Sequence, residues 1–148
     1  MKEIGTHAME KRESLQIGKH TLSFEEPGIA VHVYRGPITL EDMRVLVDLP
    51  DMDEHGGRFQ LSLYHMQEFG GLDAAARKLG AERPRPAGTY YAAYVGASFK
   101  TRVVISLFTR AANLLQGQKT VLGFFDDHAS ARAWLIECRA KHLAADKQ

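Results

Sequence analysis

The chain has a single cysteine, Cys138, so no internal disulfide can staple it. No apolar run reaches transmembrane length, and the opening residues (MKEIGTHAMEKRES) lack the apolar centre of a signal peptide. A cytoplasmic protein with no integral membrane segment is the expectation. Net charge is nearly absent as well, since 19 basic and 18 acidic residues leave +1 with histidine neutral. Nothing therefore steers the chain towards nucleic acid or acidic membranes. Also missing are a glycine fingerprint for dinucleotides, a Walker loop and any zinc-binding histidine spacing. The sequence implies no cofactor and no metal, and without a catalytic constellation the expectation is a protein that is not an enzyme.

What is present is an ordinary globular composition, 45% hydrophobic and 25% charged over 148 residues. That length predicts one domain, residues 15–148, behind a flexible tail over residues 1–14. The clearest stretch is the last third. Lys119–Phe125 (KTVLGFF) is an apolar, β-branched and aromatic run of strand length. Asp126–Asp127 then offer an acceptor to a helix start. Ala131, Trp134, Leu135, Cys138 and His142 recur at helical spacing, with Arg132, Glu137, Arg139 and Lys141 on the other side. The plain reading of Cys138 is a buried structural thiol.

Earlier segments follow the same logic. Ile17–Glu25 and Ile29–Tyr34 alternate weakly around the Pro27–Gly28 turn, which predicts an antiparallel hairpin. Thr39-Leu40-Glu41-Asp42 has capping-box spacing, with Leu40, Met43, Leu46 and Val47 as the buried stripe of a helix ending near Leu49. Arg58–Met66 alternates as a third strand, and Leu72–Leu79 reads as a short helix closed by Gly80. After the proline-bearing linker Ala81–Gly88, Thr89–Gly96 is a fourth strand, its alanines leaving room for a helix. Phe99–Leu115 suits a helix stripe, although Val-Val-Ile also suits a strand; its length without a turn signal favours helix. The fold expected is α/β: a mostly parallel central sheet of about five strands with an opening antiparallel hairpin and helices packed on it.

Three motifs resemble the STAS/SpoIIAA-like family, small α/β domains related to bacterial anti-sigma-factor antagonists and remotely to the CRAL-TRIO lipid-binding fold. Gly36-Pro37-Ile38-Thr39-Leu40-Glu41-Asp42 resembles the family's entry into its first helix. Tyr91-Ala92-Ala93-Tyr94-Val95-Gly96 is similar to an inner strand, without the family's Arg. Phe124-Phe125-Asp126-Asp127 with Ala131-Arg132-Ala133-Trp134-Leu135 resembles the closing strand and helix. The resemblance spans roughly residues 17–140. It implies a non-enzymatic binding or regulatory module that recognises a protein partner or a small apolar, lipid-like ligand, with a homodimer as a further possibility. Antagonists of this kind carry a phosphorylatable Ser at the helix after the third strand, whereas His65–Leu72 holds neither Ser nor Thr.

Smaller features are weighed against plain structural roles. Asp51–Gly56 opens like a calcium loop, but the twelfth position is Ser62 and a strand follows, so it reads as a solvated acidic loop. Ser98 sits where a nucleophile elbow would, yet Lys100 replaces the second glycine and an N-cap role accounts for it. Lys100 and Arg102 at that helix start define the alternative expectation, a small enzyme or anion-binding protein using the strand-end crevice with Ser98, Lys100 and Arg102. His32 and His65 are assigned to the polar faces of their strands, and Trp134 to the core.

Overall fold

The computed structural model describes residues 14–49, 58–82 and 88–147. Most of the expected tail, the Asp51–Gly57 loop and most of the proline-bearing linker lie outside the described residues. The strands are β1 (Leu15–Ile17), β2 (His20–Glu25), β3 (Ile29–Ile38), β4 (Phe59–Leu72), β5 (Thr89–Val95) and β6 (Lys119–Phe125). The helices are α1 (Leu40–Asp48), α2 (Ala74–Glu82), α3 (Phe99–Gln116) and α4 (His128–Asp146).

All six strands form one sheet in the order β1-β2-β3-β4-β5-β6. β1, β2 and β3 are antiparallel, and β3 to β6 are parallel. The mixed α/β architecture with its opening hairpin is as the sequence implies, with one correction in count. The segment from Ile17 to Glu25 is not one strand: Gly18, at φ +59°, reverses the chain so that β1 folds back on β2. Two further boundaries move. β4 runs on to Leu72, its register against β3 shifting between Val33 and Arg35 and again between Gly36 and Ile38. Residues 67–71, expected to join the strand to a helix, and Leu72, expected to begin that helix, are therefore strand. α2 starts at Ala74, and Gly80 lies inside it rather than ending it; there the helix passes close to α1, where a Cβ would stand 3.3 Å from the Met43 methyl.

Parallel neighbours joined by right-handed crossovers put α1, α2 and α3 on one face of the sheet, and α4 covers the other. The α4 side is sealed. Ile29, Val31, Phe59, Leu61, Leu63, Ala93 and Val95 pack against Ala131 and Leu135, with Trp134 and Phe125 half-buried beside them. Small residues allow this close approach: at Gly123 a Cβ would come within 2.6 Å of the Phe125 ring and 3.3 Å of Trp134. Asp127 caps α4 by accepting from the Ser130 N–H at 2.7 Å.

The capping box at α1 is present as the spacing predicts. The Asp42 N–H donates to Thr39 Oγ1 and the Thr39 N–H donates to Asp42 Oδ2, both at 3.1 Å. Thr39→Ala removes one of these bonds, and a loss of about 0.5–2 kcal/mol is expected in urea denaturation. At the far edge of the sheet the Asn113 side chain bonds both the N–H and the C=O of Thr120 at 3.1 Å, closing part of the β6 edge as a neighbouring strand would.

Candidate binding site

The face of the sheet under α1, α2 and α3 is built differently from the sealed one. Side chains alternate along a strand, so the residues between the core positions point to this side. In the parallel register His32 stands beside Tyr64, Tyr64 beside Tyr94 and Tyr94 beside Phe124. All four carry rings. Their centroids lie 4.6, 4.8 and 5.7 Å apart with planes 19°, 14° and 29° from parallel, a stacked row across four strands. Tyr34 flanks the row, 6.0 Å from both Tyr64 and Phe69, its hydroxyl 3.5 Å from His32 Nδ1. Arg102 of α3 closes the other end, its guanidinium 5.6 Å from the Phe124 ring centre.

No ring-bearing residue of the row is fully buried: His32, Tyr64, Tyr94 and Phe124 are each half-buried. The reason lies in the covering helices. α1 and α3 contribute no fully buried residue, and α2 contributes Ala76 alone. Burial nonetheless pushes the His32 imidazole down to about 4, so it stays neutral at ordinary pH. Burial, with the neighbouring Tyr64 and Tyr94 phenols, raises Tyr34, which keeps its proton. The row thus offers apolar ring surface edged with polar tips, and a cation at one end only. Such a surface suits an apolar ligand with a polar or acidic group.

The residues singled out from the sequence share one turn but are largely occupied within it. The Ser98 hydroxyl caps α3, accepting from the Thr101 N–H at 3.2 Å. Lys100 is exposed. Arg102 Nε donates to the Ala97 carbonyl at 3.1 Å, and its Nη2 lies 3.8 Å from the exposed Asp126 carboxylate. Phe99 points to solvent, 82% exposed, and does not close the crevice.

A second polar cluster lies on the α4 side. His65 shares its face with Leu61 and Leu63, which corrects the expectation of a polar face. Its Nε2 meets His128 Nδ1 at 2.9 Å, and His128 Nε2 faces Glu25 at 3.1 Å. Arg132 bonds Glu25 at 3.3 Å and the Glu26 carbonyl at 2.8 Å, tying the first turns of α4 to the hairpin. Desolvation, then the neighbouring His128, holds the His65 imidazole below its ordinary value. Among the described residues no group of three or more side chains is placed to hold a metal ion. Sequence reasoning gives His32 only a polar face and the Tyr and Phe rings no role; the available signal is that each of the four parallel strands carries a ring that the register can align.

The described residues define a mixed α/β domain with one sheet face packed against α4 and the other carrying the half-buried ring row, and no helix among them is long and apolar enough to cross a membrane. No family model, no curated protein and no solved structure matches the chain.

Proposed function

We propose that the protein is a non-enzymatic binding or regulatory module of the STAS/SpoIIAA-like kind that takes an apolar, lipid-like ligand on the ring-lined face of its sheet. One observation carries this reading: the three helices on that side contribute only Ala76 as a fully buried residue, and a row of four stacked rings beneath them is left half-buried. A sheet face covered for structure alone is normally packed as tightly as the α4 side. Arg102, at the end of the row, is the group to meet an acidic head. A phosphoserine switch is not part of the proposal, because residues 65–72 carry no Ser or Thr. The alternative centred on Ser98, Lys100 and Arg102 lacks a comparable observation, as Ser98 and Arg102 already bond within their own turn.

Native mass spectrometry of the purified protein and calorimetric titration with a long-chain fatty acid test the proposal. Saturable binding is expected, weakened at least about tenfold, or about 1.4 kcal/mol, by Tyr64→Ala with Tyr94→Ala. A folded variant that binds as the parent does, or a parent that does not bind, contradicts it.

A further inference from the structure

A second apolar surface lies on α3 and faces away from the molecule. Successive helical residues turn by about 100°, so Thr101, Arg102, Ile105, Ser106, Thr109, Ala112 and Asn113 fall on one side. These mostly polar residues are half-buried and turn towards the domain, where Asn113 bonds β6 and Arg102 lies over Phe124. The opposite side carries Val104, Leu107, Phe108, Leu114 and Leu115, between 43% and 80% exposed. An ordinary surface helix is arranged the other way round, apolar side inward. Val104, Leu107, Ala111 and Leu114 also follow the alternating three- and four-residue spacing of a seam between two helices. That spacing fits a helical partner better than a flat surface.

We infer that α3 is where two copies of this chain associate, the helices lying antiparallel about a two-fold axis. The seam is self-complementary in that arrangement. Leu107 of one copy faces Ala111 of the other, large against small, while Val104 faces Leu114 and the two Phe108 rings meet near the axis. Charge decides the direction. Lys100, Arg102 and Arg110 are the only charged residues of α3. A parallel pair would set Lys100 against Lys100. The antiparallel pair carries Lys100 to the carbonyl end of the second helix, where the partial negative charge favours a cation. Arg110 stays on the solvent-open flank, where salt screens it. The ring-lined face is a separate surface, so this inference does not depend on ligand binding.

Light scattering across a concentration series should give twice the 16.5 kDa chain mass. Leu107→Lys should return a monomer whose circular dichroism melt matches the parent's, since Leu107 touches little of its own domain. Direction is read by disulfide trapping in a Cys138→Ser background. Leu107→Cys mixed with Ala111→Cys should cross-link, and Lys100→Cys alone should not, its two copies being roughly 27 Å apart along the helix at 1.5 Å per residue. A parent that is monomeric at every concentration overturns the proposal, also when it adheres to phosphatidylserine vesicles instead. A dimer that survives Leu107→Lys, or that links through Lys100→Cys, overturns it as well.

Discussion

Phe59→Ala is expected to lower unfolding stability by about 3–5 kcal/mol, enough to consume much of a small domain's margin. Phe59 is 1% exposed at the start of β4, the largest fully buried side chain of the sealed core. Its ring lies 6.3 Å from that of Tyr91 and 4.5 Å from that of His142, so it holds both β5 and the last turns of α4. Tyr91 and His142 are in turn joined, hydroxyl to Nδ1, at 2.8 Å. Truncation leaves a cavity that these partners, fixed to each other, cannot collapse to fill. Guanidinium denaturation followed at Trp134 reads the loss; a midpoint shifted by less than 1 kcal/mol would mean that α4 does not depend on this contact.

The second large effect concerns His20, the one fully buried polar side chain among the described residues. The Arg35 N–H donates to its Nδ1 at 2.9 Å, which leaves the ring proton on Nε2, facing Asp42 Oδ2 at 3.2 Å. One imidazole thus joins β2, β3 and the start of α1. His20→Ala strands the Arg35 N–H and removes a partner of Asp42, at about 1–3 kcal/mol for each buried group left unpaired. The same knot sets an acid limit. Burial alone would raise the Asp42 carboxyl, but bonds from Thr39 and the nearby His20 outweigh it and hold it below 3.8. Because the folded value is the lower one, Asp42 stabilises the fold above pH 3.8, and that contribution is lost as pH falls through the depressed value. Asp42→Asn should therefore flatten the acid limb of the stability curve below about pH 4, while a limb identical to the parent's would remove Asp42 from the account.

Local signals in the sequence were read correctly where one segment decides its own structure. The Thr39–Asp42 box starts α1, the apolar Lys119–Phe125 run is β6, and the stripe from Phe99 to Leu115 is a helix closed by Gly117 at φ +68°. What periodicity does not contain is direction. The α3 stripe is as regular as that of α4, but whether it faces the sheet or solvent depends on Asn113 bonding the β6 backbone and Arg102 lying over Phe124. The ring row is illegible for a related reason, since His32, Tyr64, Tyr94 and Phe124 become neighbours only through the register of four strands. β4 outran its expected end at Met66 because pairing with β3 continues to Leu72, past glycines that read as a break. For Arg102 the charge was visible, but its bond to the Ala97 carbonyl was not.

The central claim is that the face under α1, α2 and α3 is a binding surface while the face under α4 is only core. Amide and aromatic NMR during titration with a long-chain fatty acid tests this most directly, because the two faces alternate residue by residue along the same strands. The account predicts saturable ring shifts at His32, Tyr64, Tyr94 and Phe124 and at Arg102, with Phe59 and the Leu61 and Leu63 methyls unmoved. Shifts centred on the core side, or none that saturate, would contradict it.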